Sequence, residues 1–205
     1  MEQIKRRRTL WVAFAVASML AFCVAACAQQ ANLSLNYARF SKWGLSFEYP
    51  AEWHEHPADR VAMMKDYLAK ELRRDGIRLE HFSMIVGPRD EACLLISKCT
   101  RPKPVKPSEL IEERKKVYEE AKRAGDVTKV NHVKETVVSN LPAVEEDVER
   151  SNGGRGRTYK IIQGRAIFEI SLVVDSASRF SKYSDTIEHL VSTTRVDSTK
   201  DHLAN

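Results

Sequence analysis

The chain has 205 residues, 43% of them hydrophobic and 30% charged with both signs mixed, a composition that excludes a wholly disordered or collagen-like protein. Its net charge is +5, but Lys5 and the arginines Arg6 to Arg8 face only Glu2 within the first 26 residues. The rest of the chain is therefore close to neutral, and we expect no nucleic-acid partner.

The basic segment is followed by an apolar run over residues 10–26, which is interrupted only by Ser18. A positive flank before such a run is typical of an export signal, so residues 1–26 are interpreted as a signal peptide. The run also reaches the lower limit of about 17 residues for a membrane-spanning helix. A retained helical anchor and ordinary signal cleavage are therefore alternatives.

The run ends in Val24-Ala25-Ala26-Cys27, which resembles the lipobox of bacterial lipoproteins. Cys23 does not fit this pattern because the bulky Phe22 precedes it. The resemblance implies cleavage before Cys27 and acylation of its thiol, and Ala28 after it favours the outer membrane. The expected location is the bacterial cell envelope, lipid-anchored, on the outer membrane or facing the periplasm, with the membrane as a partner through the anchor.

The remaining residues form one predicted domain. Residues 27–39 are the lipidated cysteine and a polar tether, residues 40–197 are the domain, and residues 198–205 are a polar tail. In residues 44–50, Leu45, Phe47 and Tyr49 alternate with polar positions, which predicts a half-buried strand. Asp59 is the predicted N-cap of a helix with one apolar face, formed by Val61, Met64, Leu68 and Leu72.

Residues 82–86 and 92–98 are predicted to form a hairpin, and a proline-rich crossing over residues 101–107 follows it. Ser108 is the predicted N-cap of the next helix and Gly125 its end, with an apolar stripe of Leu110, Val117, Ala121 and Ala124. Four further strands are predicted over residues 127–138, 144–150, 159–163 and 166–174. A last helix carries Phe180, Tyr183, Ile187 and Leu190.

The order of these elements is β-α-β-β-α-β-β-β-β-α. Blocks of neighbouring strands separated by helices indicate an α+β fold with an antiparallel sheet and helices packed on its faces. The strand over residues 166–174 is the most apolar and is predicted to be central. We expect Phe168→Ala to cost about 3–5 kcal/mol of stability. We expect Arg157→Ala, placed with Arg155 at a solvated hairpin tip, to cost under about 0.5 kcal/mol.

The opening Trp43-Gly44-Leu45-Ser46-Phe47-Glu48-Tyr49-Pro50-Ala51-Glu52-Trp53 resembles that of PsbP-like domains. Asn140-Leu141-Pro142-Ala143 and the closing Ser192-Thr193-Thr194-Arg195-Val196 fit the same plan, so the resemblance covers residues 40–196. It implies an antiparallel sheet with helices on both faces, an α/β sandwich, and non-enzymatic binding. Some members are accessory to a membrane oxidising complex, and others are envelope lipoproteins or intracellular adaptors. The helix over residues 61–72 is an insertion relative to compact members.

Three groups of residues are weighed as sites. His54 and His56 flank Glu55 and could hold zinc or manganese, although Pro50 and Pro57 indicate a polar surface loop. The basic cluster of Lys98, Arg101, Lys103 and Lys106 could contact anionic lipid or could be solvated.

The third group is the pair Cys93 and Cys99. Export favours a disulfide between them. Six residues of strand, however, would hold the two thiols about 20 Å apart. We therefore expect them to stay apart.

Motifs for catalysis are not found in the sequence, so no catalytic residue and no cofactor is assigned. Glu145 and Asp147 are expected to face outward together on a wet face of the sheet, with Glu146 on the opposite face. The sequence thus favours a non-catalytic envelope module that binds or helps assemble a protein partner. The alternative is a small envelope hydrolase with a non-contiguous active site.

Overall fold

The computed structural model describes residues 36–197. The predicted signal peptide, Cys27, most of the predicted tether and the polar tail lie outside the described residues. Within residues 36–197, the helices are all too short or too polar to cross a membrane.

Two antiparallel sheets and three helices build the domain. The strands are β1 (Tyr37–Lys42), β2 (Leu45–Pro50), β3 (His54–Glu55), β4 (Arg78–Val86), β5 (Ala92–Thr100), β6 (Val127–Val138), β7 (Leu141–Arg150), β8 (Arg155–Gln163), β9 (Ala166–Val174) and β10 (Arg195–Val196). The helices are α1 (Ala58–Arg74), α2 (Pro107–Ala124) and α3 (Ser184–Thr193). The large sheet has the order β3-β4-β5-β9-β8-β7-β6, and the small sheet the order β1-β2-β10. The predicted α+β class is confirmed.

Strand β9 lies at the centre of the large sheet, as its apolar sequence predicted. It pairs with β5 on one side and with β8 on the other. Phe168, Ile170 and Leu172 project from it to one face and are at most 1% exposed. We call this side the first face and the opposite side the second face.

The apolar centre of the first face is covered by the small sheet and α3. The small sheet supplies Phe40, Leu45 and Phe47 to its core, and α3 supplies Ile187 and Leu190. Burial of this continuous apolar cluster is the main stabilising contribution to the domain.

The second face has a much smaller core, which consists of Leu110, Val144, Ile162 and Ile167 beneath α2. Helix α2 packs on β6 and β7, and α1 packs on β4. Through Leu110, α2 also reaches Ile162 on β8 and Ile167 on β9, and the rest of these two strands and of β5 lies between the two helices.

The helix starts differ from the predictions. Pro57 is the N-cap of α1, and Asp59 lies inside the first turn, where its charge can still favour the helix dipole. Helix α2 begins at Pro107, whose fixed φ and missing N–H suit the first helical position. Its N-cap is Lys106, whose backbone N–H donates to the Glu109 carboxylate at 3.3 Å, so Ser108 is not the cap. Gly125 ends α2 in the left-handed conformation, as predicted.

Two further differences concern the edges of the predicted elements. Strand β1 begins at Tyr37, within the last residues of the predicted tether, because it pairs with β2 through a tight turn at Trp43 and Gly44. Val117 is 40% exposed, whereas Tyr118 is buried from the same turn of α2. Leu110 is buried as predicted, and Tyr118 takes the inward position that was predicted for Val117.

Candidate functional site

The uncovered part of the second face forms a groove between α1 and α2. Its floor is made by β5, β9 and β8, and its main cavity has a volume of about 410 Å³. A smaller cavity continues it towards Arg101 and Glu113, so the groove follows the direction of the strands. Concave sites of this size are the usual location of ligand or partner binding.

The two walls of the groove differ in character. Helix α1 contributes Leu68 and Leu72, which remain partly exposed, and none of the described side chains of this helix is fully buried. Helix α2 contributes Arg114 and Tyr118, which hydrogen bond to each other at 3.2 Å. One wall is therefore apolar and loosely packed, and the other is polar and fixed.

A polar network crosses the floor. Lys160 on β8 forms an ion pair with its cross-strand neighbour Glu169 on β9. Ser171 donates to the Glu169 carboxylate at 3.2 Å, and its hydroxyl lies 2.8 Å from that of Thr158. These four side chains therefore satisfy one another's hydrogen bonds and hold this part of β8 and β9 in one arrangement.

A second network joins the floor to the α2 wall. Glu146 is 2% exposed and accepts hydrogen bonds from Arg114 Nε at 2.9 Å and from the Tyr118 hydroxyl at 2.5 Å. A buried carboxylate that accepts from two such donors is held firmly in one position. This contact fixes α2 against β7.

The electrostatics of the groove are balanced. Three cationic and three anionic side chains line the main cavity: Arg114, Arg150, Lys160, Asp126, Glu146 and Glu169. Burial by itself raises the pKa of Glu169, but Lys160 and Arg114 outweigh burial, so this pKa lies below its ordinary value. Burial and the nearby Glu146 carboxylate raise the pKa of Tyr118. The groove thus offers fixed charges in pairs and no net charge.

In the groove the Ser171 hydroxyl donates to the Glu169 carboxylate, and the lowered pKa of that carboxylate makes it a weak base. Burial raises the pKa of the Cys99 thiol to about 11, so the thiol stays protonated at neutral pH. The described residues that line the main cavity include serine and threonine hydroxyls but no histidine to activate them. His81 lies on the first face, where its ring stacks on Trp43 at 4.9 Å.

The two predicted metal candidates lie away from the groove. His54 is exposed on β3 opposite Val86, and Glu55 is engaged by Lys42 at 2.6 Å. The His56 backbone N–H donates to the carbonyl of Met84. Among the described residues, histidine, cysteine, aspartate and glutamate side chains do not gather into a group of three or more that could hold a metal ion.

The predicted basic cluster is divided by the fold. Lys98 lies over the Phe168 ring at 5.2 Å and within 3.8 Å of Glu80, while Arg101 pairs with Glu113 at 2.6 Å on the other side of the sheet. Lys103 and Lys106 are exposed in the crossing segment and at the start of α2. Whether these residues bind lipid stays a prediction.

The two cysteines remain separate free thiols, as expected from strand geometry. Both lie within β5 and point to the second face, so a single extended strand separates them. Burial raises the pKa of the Cys93 thiol to about 11.

The expectation of a wet face around Glu145 and Asp147 is wrong. Asp147 is 0% exposed on the first face, and Arg155 and Arg157 both donate to its carboxylate, at 2.8 and 3.0 Å. The two guanidinium groups also lie over the Phe180 ring, at 4.2 and 5.0 Å. The short turn that contains Phe180 covers this face, so Arg155 and Arg157 belong to a buried ion cluster and not to a solvated tip.

Sequence reasoning also missed an exposed apolar patch on α1. Met63 and Tyr67 are 70% and 65% exposed, and Met64 is exposed beside them. Met63 and Tyr67 are four residues apart and therefore share one side of the helix. The spacing of Met63 and Tyr67 is visible in the sequence. Met64 was predicted to lie on the inward face of α1 with Val61, Leu68 and Leu72, and that assignment is wrong because Met64 is 40% exposed.

Comparisons with known protein families and with curated protein sequences find no match for this chain. Among solved structures, the cyanobacterial PsbP of Synechocystis sp. PCC 6803 is similar, with a TM-score of 0.55 and 11% identity over 79% of this chain and 93% of that chain. A protein from Bacteroides thetaiotaomicron VPI-5482 has a TM-score of 0.45 and 13% identity, over 77% of this chain and 47% of that chain. The similarity to cyanobacterial PsbP confirms the fold that the sequence resemblance implied.

Proposed function

We propose that this chain is a membrane-anchored envelope lipoprotein whose PsbP-like domain binds a protein partner without catalysing a reaction. The observation that carries the proposal is the groove on the second face, where an apolar helix wall lies beside a floor of mutually paired charges. Such a surface offers contact area and fixed polar positions to a partner.

The apolar patch on α1 supports the binding role. Met63 and Tyr67 are large side chains that stay 70% and 65% exposed within the domain. Exposed methionine and tyrosine side chains on one side of a helix are typical of surfaces that contact another protein. They lie on the helix that also forms the apolar wall of the groove, so one partner could engage both.

The hydrolase alternative is less well supported by the same geometry. A general base needs a pKa near the working pH and a hydrogen bond to the nucleophile. The described lining residues offer a protonated thiol in Cys99 and a carboxylate in Glu169 whose pKa is lowered by its neighbours. Glu169 accepts from the Ser171 hydroxyl and pairs with Lys160, which stabilises its charged form and makes it a weak base at neutral pH.

The anchor is tested by labelling. Cells that express the full chain are grown with a labelled fatty acid, and we expect label on the wild-type protein and none on Cys27→Ala, because only that thiol fits the lipobox resemblance. Cys23→Ala is the matched control and should retain the label. Label that persists on Cys27→Ala would contradict the lipoprotein assignment.

The partner role is tested by chemical cross-linking in the native envelope. We expect reproducible cross-links from this chain to one or a few envelope proteins, with reduced yield for Met63→Ser combined with Tyr67→Ser. Reproducible failure to cross-link any protein would count against the binding role, and turnover of an envelope substrate by the purified full chain would replace it with the hydrolase.

A further inference from the structure

We infer that one end of the large sheet is a docking surface for the anionic headgroups of a lipid bilayer. Four exposed cations form this surface, which we call the basic end: Arg73, Lys103, Lys106 and Arg165. The inference rests on the proposed lipid anchor and specifies how the anchored domain contacts the membrane.

The basic end is assembled from three parts of the chain that are distant in sequence. Arg73 lies in the last turn of α1, and Arg165 lies in the turn between β8 and β9. Lys103 and Lys106 lie in the proline-rich crossing segment that leads into α2. Only these two lysines come from the basic cluster predicted from the sequence, and the fold adds the two arginines.

Three contacts bring these parts of the chain together. The Arg101 backbone N–H donates to the carbonyl of Arg165 at 2.9 Å, so the crossing segment starts beside the turn between β8 and β9. A Cβ atom built on Gly76 would lie 3.6 Å from Pro102 Cγ. The Gly76 N–H in turn donates to the carbonyl of Arg73 at 3.2 Å. The end of α1, the crossing segment and the turn between β8 and β9 are therefore neighbours.

The crossing segment presents its lysines from a fixed backbone. Val105 packs against the small core of the second face. Pro102 and Pro104 restrict the backbone on either side of Lys103. Lys103 and Lys106 are exposed on either side of Val105. Their charges are therefore held outward together.

The four cations of the basic end are left without an ion pair among residues 36–197. Their neighbours differ, because Arg78 pairs with Glu80 at 2.7 Å and Arg101 pairs with Glu113 at 2.6 Å.

Two exposed carboxylates, Asp75 and Glu109, also belong to this end of the domain. Neither of them forms an ion pair with the four cations within the described part of the chain. Four free cations against two carboxylates leave a net positive surface, which can attract an external anion.

The proposed anchor selects a bilayer as that anion. Residues 28–36 separate Cys27 from β1, and fully extended they span about 30 Å. An anchored domain therefore stays close to lipid headgroups. Attraction to an anionic surface acts over a Debye length of about 8 Å at physiological ionic strength, so clustered lysine and arginine gain it only when they face the headgroups.

The side-chain types at the basic end suit headgroup phosphates. The guanidinium groups of Arg73 and Arg165 can each donate two parallel hydrogen bonds to a phosphate. Lys103 and Lys106 supply compact charges that are strongly attracted to an anionic surface. Pro102 and Pro104 carry no backbone N–H that would lose its hydration at the headgroups.

The test is lysine footprinting of the lipidated full chain on vesicles. The chain is reconstituted through its own anchor into vesicles of phosphatidylcholine alone, or of phosphatidylcholine with about one-third phosphatidylglycerol. An acetylating reagent modifies exposed lysines, and mass spectrometry measures the rate at each one. We expect Lys103 and Lys106 to react at least about fivefold more slowly on the anionic vesicles, because the headgroups cover them.

Lys116 is the internal control for this measurement. It is exposed on α2, ten residues or about 15 Å along the helix from Lys106, and should react equally on both kinds of vesicle. In about 1 M salt the Debye length falls to about 3 Å, so the protection of Lys103 and Lys106 should disappear. This salt test needs no substitution.

Arginine variants supply a second readout. Arg73→Gln combined with Arg165→Gln removes half of the free cations and leaves both reporter lysines in place, so the protection should fall at least about threefold. Arg60→Gln combined with Arg123→Gln removes two exposed arginines elsewhere and should leave the protection unchanged. Circular dichroism of each purified full chain checks that it is folded.

The other outcomes overturn the inference in distinguishable ways. Stable association with both kinds of vesicle, but equal acetylation of Lys103 and Lys106 on them, would leave the anchor standing and remove the docking surface. Equal protection of Lys116 would show a general effect of the charged vesicle and would also remove it. Protection in native envelope membranes but not on the anionic vesicles would identify an acidic protein as the occupant instead. Failure of the full chain to stay with either kind of vesicle would contradict the proposed anchor and, with it, the inference.

Discussion

Individual buried charges are more important to this domain than its sequence indicates. Arg157 lies between the Asp147 carboxylate and the Phe180 ring. We now expect Arg157→Ala to lower the free energy of unfolding by about 1–3 kcal/mol, because it removes a charged donor from a buried carboxylate that keeps Arg155 as a partner. Chemical denaturation of the soluble fragment that begins at Ala28 measures the loss.

Arg60→Ala is the control for this variant. Arg60 is exposed on α1, and its removal should change the free energy of unfolding by under about 0.5 kcal/mol. Equal midpoints for Arg157→Ala and the parent would restore the earlier interpretation of a solvated tip.

Phe168 gives the residue-scale prediction for the apolar core. It is 1% exposed at the centre of the first face, so Phe168→Ala should lower the free energy of unfolding by about 3–5 kcal/mol. Phe168→Leu, which keeps most of the volume, should lose less than half of that. A loss under about 1 kcal/mol for the alanine variant would mean that this strand does not face the core.

Among the elements, α1 is the one held least firmly. None of its described side chains is fully buried, whereas α2 buries Leu110 and Tyr118 and α3 buries Ile187 and Leu190. Local opening is easiest where few apolar side chains are buried. We expect amide hydrogen exchange in residues 58–74 to be at least tenfold faster than in residues 107–124, measured by mass spectrometry on the Ala28 fragment. Equal protection of the two helices would contradict this difference.

Strand patterns were easier to predict than the surfaces they face. The alternation in residues 166–174 correctly placed Phe168 and its neighbours on one side, and the same rule correctly separated Glu145 and Asp147 from Glu146. Alternation assigns residues to two faces but does not say what covers each face. The turn around Phe180, which is distant in sequence, covers Asp147. No local sequence pattern around Asp147 indicates that contact.

The helix starts and the groove were missed for related reasons. A serine beside a proline satisfied the cap pattern at Ser108, but proline's own preference for the first helical position moves the N-cap by two residues, to Lys106. The groove depends on which strands α1 and α2 cover, and that is set by strand order in the sheet.

Across the whole molecule, the two faces of the large sheet divide stability from binding. The first face carries the large core, with the small sheet and α3 packed on it. The second face carries a small core, a paired polar floor and a groove between two helices. A domain stabilised mainly from one side can leave the other side available to a partner without losing its fold.

This arrangement makes the stability of the whole domain sensitive to acid through Asp147. Burial by itself raises the pKa of Asp147, but hydrogen bonds from Arg155, Asn131 and Arg157 outweigh it and lower the pKa from 3.8 to about 2. The folded-state pKa is therefore below the unfolded one, so the stabilisation is complete above about pH 4 and is lost as the pH falls towards 2. A shift of this size contributes about 2 kcal/mol.

We therefore expect the free energy of unfolding of the Ala28 fragment to fall by about 2 kcal/mol from this group between about pH 4 and pH 2. Asp147→Asn should be less stable at neutral pH, because it removes the charge that the two arginines share, and its stability should change less over the same interval. Glu52, which is exposed, provides the control variant Glu52→Gln, which should follow the parent. Denaturant titrations at half-unit pH steps measure all three, and parallel curves for Asp147→Asn and the parent would show that the buried cluster on the first face does not govern acid unfolding.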